Sequence, residues 1–435
     1  MINARQIAFE ALLKTFKNDA YSNLTLDKFL SKADIDTRDK AFVSALFYGT
    51  IERKITIDYQ LEKYLSKPLK KLKPEVLIIL EMGAYQILFM DKVPSSAAVN
   101  ESVSLAKKNG VSFAGGLINA VLRKVSANCI SLPDEDDKIY YLSIKYSCPR
   151  EYVELWFNEL GETDTVSLLE STVGSAEIII RTNTLKCSDD ELISILNNEG
   201  VSAAKTYLEG ALSLGLNSRD IESLESYKRG LFHVQDLSCQ ICCRALGAKR
   251  GDTVFDLCSA PGGKAFTVAE HMNNEGTVRC FDLYKNRVEL IRSGAKRLGL
   301  TCISADVYDA SEFNAEIGTA DRVLCDVPCS GLGIIRRKPE IKYKSIESLA
   351  GLPEIQYNIL QNAARYVKNG GTLVYSTCTL IRRENEDVCR RFLEENDEFY
   401  PVTPAPDISQ EQFLTLLPHK NGGDGFFIAS FRRKE

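Results

Sequence analysis

Two cysteines in this chain each follow an apolar run that reads as a buried strand, and their placement suggests nucleophilic chemistry. The first run is Arg322-Val323-Leu324-Cys325-Asp326-Val327-Pro328-Cys329-Ser330-Gly331. The second is Thr372-Leu373-Val374-Tyr375-Ser376-Thr377-Cys378-Thr379. A third run, Thr253-Val254-Phe255-Asp256-Leu257-Cys258, opens into Ser259-Ala260-Pro261-Gly262-Gly263-Lys264. Small residues after a strand let the backbone approach a ligand, and the helix that follows offers its N-terminal amides. Such a loop beside two strand-end thiols points to covalent catalysis next to a nucleotide-like cofactor.

The loop is not a Walker A phosphate loop. That pattern requires glycine where Cys258 stands and Ser or Thr where Ala265 stands. Its weight as a cofactor signal comes from two carboxylates further on. Asp282 ends the next apolar run, Thr277 to Phe281, in the place where an acidic residue binds ribose hydroxyls. Asp306 ends the run after that, Ile303-Ser304-Ala305-Asp306. Three strand ends of this kind in succession argue for a cofactor cleft.

These groups need a sheet to hold them. Apolar runs at 253–257, 277–281, 301–305, 321–327 and 372–376 alternate with helical segments, which predicts a doubly wound, mainly parallel α/β sheet over 246–435. Residues 1–130 read as all-helical. Ile7, Ala8, Ala11, Leu12 and Phe16 fall at helical spacing, and Pro74 stands where the first turn of a helix through Val76 to Tyr85 would begin. The polar stretch Ser131-Leu132-Pro133-Asp134-Glu135-Asp136-Asp137 predicts a linker over 131–150. Residues 151–245 read as a small α+β subdomain, with strands at Glu177–Asn183, Ala211–Leu216 and Leu231–Val234 and a capped helix over Ser188–Asn198.

Composition bounds the rest. A chain of 435 residues, 44% hydrophobic and 26% charged, can bury two or three cores. No apolar h-region follows Met1, and no run approaches the roughly 18 apolar residues of a membrane span, so a cytoplasmic protein is expected. Thirteen cysteines then read as reduced thiols rather than a disulfide framework. Cys239, Cys242 and Cys243 read as a helix-packed set, without the second pair that a zinc site needs; no metal is expected. Cys258 and Cys325 read as small apolar residues, and His233, His271 and His419 as structural or exposed. The cluster Lys67-Pro68-Leu69-Lys70-Lys71-Leu72-Lys73 reads either as a solvated face or as a phosphate contact.

The segments Asp256–Lys264, Asp326–Gly331 and Ser376–Thr379 together resemble the motif set of the Sun/Fmu family of RNA cytosine-5 methyltransferases. Arg181-Thr182-Asn183-Thr184-Leu185-Lys186, Arg336-Arg337-Lys338-Pro339-Glu340-Ile341-Lys342 and Asp424-Gly425-Phe426-Phe427-Ile428-Ala429 resemble its flanking signatures. The helical N-terminus is similar to the NusB-like RNA-binding domain of the bacterial branch that modifies small-subunit rRNA. The departures are Ala265, where the family often has threonine, and Trp156, the sole tryptophan of a pattern the family has richer in that residue. The resemblance implies a Rossmann-like S-adenosylmethionine-dependent fold, 16S ribosomal RNA as partner and a monomeric enzyme. It assigns cofactor binding to Cys258, Ser259, Ala260, Pro261, Gly262, Gly263, Lys264, Asp282, Arg287, Asp306 and Asp326. Arg336, Arg337, Lys338, Lys342 and Lys344 come just after the Cys329 loop, and RNA backbone contact is expected of them.

The implied chemistry explains a pair of thiols. Carbon 5 of cytosine is a poor nucleophile until a thiolate adds to carbon 6. The resemblance makes Cys378 that nucleophile, Cys329 the group that serves release, and Asp326 the group that holds the base and stabilises charge. A DNA cytosine-5 methyltransferase would attack from the Pro-Cys and not need Cys378. A pure RNA-binding protein would leave both thiols idle, and a dehydrogenase would want a Gly-x-Gly-x-x-Gly loop.

Overall fold

The computed structural model describes residues 4–18, 22–215 and 221–435; Met1, and Leu216 at the expected end of a strand, lie outside them. The chain forms two compact units, Met1–Gly174 with Ile335–Ser345, and Ser175–Ile334 with Ile346–Glu435.

The first unit is helical. Pro74 opens the helix Pro74–Phe89, where its missing N–H costs nothing, and Pro94 precedes the helix Ser95–Lys108. Phe9, Leu12, Phe47, Ile79, Leu80 and Leu122 lie in its core. The stretch expected as a linker is instead structural. Asp137 caps a helix Lys138–Tyr146 by accepting from Tyr140 N, and Thr56 Oγ1 donates to Ile144 O at 2.5 Å. The following helix, Arg150–Ser171, bends at Gly161 (φ 80°) and buries Tyr152, Val153 and Trp156. Burial of these apolar side chains moves the boundary expected at 150 to Gly174.

Residues 335–345 also belong to this unit. Ile341 is buried there, and Tyr343 Oη donates to Ile51 O at 2.6 Å.

The second unit holds two sheets. Strands β1 (Ile178–Thr182), β2 (Ala203–Lys205), β3 (Ala211–Leu214) and β4 (Phe232–Val234) form an antiparallel sheet in the order β2-β3-β1-β4. Its helix Asp189–Asn198 starts on a capping box between Ser188 and Glu191, as the Ser-x-x-Glu spacing predicts.

The larger sheet has eight strands. They are β5 (Thr253–Asp256), β6 (Thr277–Asp282), β7 (Ile303–Val307), β8 (Ala320–Asp326), β9 (Val367–Thr377), β10 (Phe399–Val402), β11 (Phe413–Leu416) and β12 (Phe426–Arg433). The order is β10-β12-β9-β8-β5-β6-β7, with β11 paired to β12. The five strands from β5 to β9 are parallel, and β12 runs antiparallel to β9. Parallel strands covered on both faces must be apolar along their length, which is why Val323, Leu324, Leu373, Val374 and Tyr375 are all buried.

Candidate active site

The site is built at the carboxyl ends of β8 and β9, which are parallel neighbours with Asp326 opposite Ser376. That register carries both chains past the sheet on the same side. Three residues after Asp326 comes Cys329 and two after Ser376 comes Cys378; their Sγ atoms lie 3.3 Å apart. Both side chains are half-buried. The hydrogen bond with Cys378, and then burial, push the Cys329 thiol well above the usual thiol range, so it keeps its proton. By contrast, Cys325 is fully enclosed, and burial pushes it and Cys258 up as inert thiols.

Backbone bonds fix the two loops against each other. Gly333 N donates to Cys378 O at 2.9 Å and Gly425 N to Gly333 O at 2.9 Å. A Cβ on Gly333 would stand 2.0 Å from Gly425 O, so only glycine permits this approach.

The glycine loop reaches the same place. Lys264, in the first turn of the helix Gly263–His271, pairs with Asp326 Oδ2 at 2.7 Å, while Ser376 Oγ donates to Asp326 Oδ1 at 2.9 Å. Burial is the largest influence and opposes the Lys264 charge, but Asp326 with Cys239 and Cys242 together outweigh it and hold the ammonium well above its ordinary pKa. Asp282 is buried at the end of β6, with Tyr284 N at 3.2 Å from Oδ1 and Arg287 Nη1 at 3.2 Å from Oδ2. Arg287 also donates to Ala260 O at 2.9 Å and so ties this carboxylate to the loop. Asp306, one strand further out, is exposed and 3.7 Å from Arg292.

A buried carboxyl stands at the end of β5. Burial pushes Asp256 up to about 7, while the Ser259 hydroxyl, the Lys264 charge and the Cys258 N–H pull it back down. A buried carboxyl beside the amides of the glycine loop fits a ligand with a cationic end and a ribose, as S-adenosylmethionine has.

Comparison with known proteins agrees. A profile described as "16S rRNA methyltransferase RsmB/F" matches residues 243–432, and one described as "NusB family" matches residues 2–127. The chain is 37% identical to the probable ribosomal RNA small subunit methyltransferase B of Bacillus subtilis, covering 99% of each. The chain belongs to the RsmB/F family of 16S rRNA methyltransferases. The corresponding Synechocystis protein is 34% identical over 100% of both chains. The solved structure of PH0851 superposes with a TM-score of 0.84 at 26% identity, covering 100% of this chain and 99% of that one. S-adenosylmethionine is accordingly the methyl donor.

In this methyltransferase the basic residues after Gly331 are not equivalent. Arg336 is exposed, and Arg337 and Lys338 are half-buried. Lys342 is a correction to the expected RNA contacts. It is 2% exposed, and its Nζ donates to Glu52 O at 2.6 Å. That hydrogen bond anchors 335–345 within the helical unit, and the side chain does not face solvent. His233 is buried and pushed down to about 3 by burial and then by Arg181, so it is a neutral packing residue. Sequence reasoning missed Ser376, Gln356, Glu384 and Asn385. Ser376 lay inside an apolar strand, and the acid-amide pair Glu384-Asn385 in a polar stretch gave no periodic signal.

Proposed function

We propose that this methyltransferase modifies carbon 5 of a cytosine in 16S small-subunit rRNA, through a covalent bond between Cys378 and carbon 6. The observation that carries the reading is the 3.3 Å separation of Cys329 and Cys378, because one base can meet both thiols only if they converge. S-adenosylmethionine supplies an electrophilic methyl group on a sulfonium. Asp256, the loop residues 258–264, Asp282 with Arg287, and Asp306 are the residues that would hold it.

The attacking thiolate is Cys378, the thiol that follows β9 in the Ser376–Thr379 motif. Its addition to carbon 6 moves the ring electrons to carbon 5. Asp326, oriented by Lys264 and Ser376, accepts from the amino edge of the base and stabilises the charge that develops. Once carbon 5 carries the methyl group, Cys329 serves as the base that takes its proton, and the electrons of that C–H bond re-form the ring double bond as the Cys378 thiolate leaves.

The target base must be unstacked to reach two strand ends, either flipped out or presented in a single-stranded loop. Arg336, Arg337 and Lys338 are the proposed phosphate contacts. The compartment that fits this substrate is the cytoplasm. Bisulfite sequencing of 16S rRNA from a strain lacking the gene tests the assignment. One cytosine should lose its protection and regain it on complementation; an unchanged pattern rejects the reading.

A further inference from the structure

Two adjacent side chains that take no part in the steps above each hold the turn that carries one of the thiols. Glu384 and Asn385 are 0% and 1% exposed and precede the helix Glu386–Glu395. Glu384 Oε2 accepts from Ser330 N at 2.9 Å and from Gln356 Nε2 at 2.8 Å. The same Gln356 nitrogen donates to Pro328 O at 3.0 Å. These bonds hold the residues on both sides of Cys329. Asn385 does the same for Cys378: its Oδ1 accepts from Thr377 Oγ1 at 2.6 Å, and its Nδ2 donates to Thr379 O at 3.0 Å. The hydroxyls of Ser330 and Thr379 meet at 2.7 Å and close one bracket on the other.

A buried carboxylate is expensive to keep where packing alone would accept an apolar side chain. Glu384 Oε1 even lacks a hydrogen-bond partner among the described residues, so full satisfaction is not what the position provides. What it provides is direction for a backbone turn. We propose that Glu384 and Asn385 are positioning residues that set the approach of the two thiols, Glu384 through the Cys329 turn and Asn385 through the Cys378 turn. This rests on the covalent reading above. Because each side chain braces one thiol, the two should govern different steps: Asn385 the attack on carbon 6, Glu384 the release.

The test compares Asn385→Ala, Glu384→Leu, Gln356→Leu and Glu384→Gln in the full chain. Single-turnover formation and decay of the protein–RNA adduct are followed for each. A second measurement needs no RNA: diazenedicarboxamide oxidises Cys329 and Cys378 to a disulfide, taking up their two protons and two electrons, and the cross-link is mapped by mass spectrometry. Asn385→Ala should slow adduct formation by about a hundredfold, the effect of a misplacement near 1 Å, with release little changed. Glu384→Leu should do the reverse and accumulate adduct, and Gln356→Leu should match it, which decides the matter if Glu384→Leu does not fold. Glu384→Gln keeps an acceptor oxygen and should restore release. The Ala and Leu variants should form the mapped disulfide about tenfold more slowly while binding S-adenosylmethionine normally. Equal losses in both steps for every variant, or wild-type cross-linking rates, would overturn the proposal. If even the wild-type enzyme and Cys329→Ala form no adduct, the covalent reading fails, and the cross-linking rates still decide whether these residues position the thiols.

Discussion

Lys264 Nζ lies 2.7 Å from Asp326 Oδ2, which joins the first turn of the cofactor helix to the end of the catalytic strand β8. One ion pair therefore links the two halves of the site. It has a partly buried cation, held charged by its partner, and a carboxylate whose other oxygen is oriented by Ser376. The pair ties the glycine loop to the group assigned to the base.

The two thiols separate by variant. Cys378→Ala should bind both ligands yet form no adduct and no product. Cys329→Ala should attack and methylate once, then accumulate a covalent protein–RNA complex that survives denaturing electrophoresis and carries the transferred methyl. Swapped behaviour would indicate the roles found in DNA enzymes, and no adduct from either variant would remove the covalent mechanism.

Asp282 is buried and aligned by Arg287, so a ligand hydroxyl that bonds it loses a charged acceptor on substitution. Asp282→Ala should weaken S-adenosylmethionine binding by roughly 1.5–3 kcal/mol. Calorimetry reads this directly, and unchanged affinity would reject the placement.

Lys342 makes a prediction about pH. Burial lowers its pKa from 10.5 to about 8 in the folded chain. Between those values the unfolded chain binds more protons than the folded one, so stability rises as pH increases through that window and is lost as pH falls through about 8. Lys342→Met should flatten this part of the stability curve and leave RNA affinity and its salt slope unchanged. A weaker, shallower salt dependence in that variant would restore Lys342 as an RNA contact.

The exposed lysines of the helical unit, Lys67, Lys70, Lys71 and Lys73, test its role in RNA binding. Replacing all four with glutamine should lower the slope of log affinity against log salt by about 0.7–0.9 for each phosphate no longer neutralised. An unchanged slope would make them a solvated face. Truncation at residue 130 is a poor substitute, because the helices Lys138–Tyr146 and Arg150–Ser171 belong to the same unit and would lose their packing.

The sequence by itself determined the strands β5 to β9, the loop after β5 and the identity of both thiols. Each of these signals is local. A buried parallel strand must be apolar along a few residues, and the motif at its end follows directly in the chain. The capped helix after Ser188 was legible for the same reason.

What the tertiary structure decided is which distant groups meet. The acidic stretch after Ser131 has the composition of a linker, yet the apolar faces of 138–171 find partners in the helical unit. Lys342 sits in a basic run that reads as solvent-facing, but Glu52, a long way off in sequence, takes its ammonium into a buried bond. Glu384 and Asn385 look like an ordinary polar turn until Ser330, Gln356, Thr377 and Thr379 close around them. A side chain's burial and its partners depend on the packing of segments far apart in the chain, and neither periodicity nor composition carries that information.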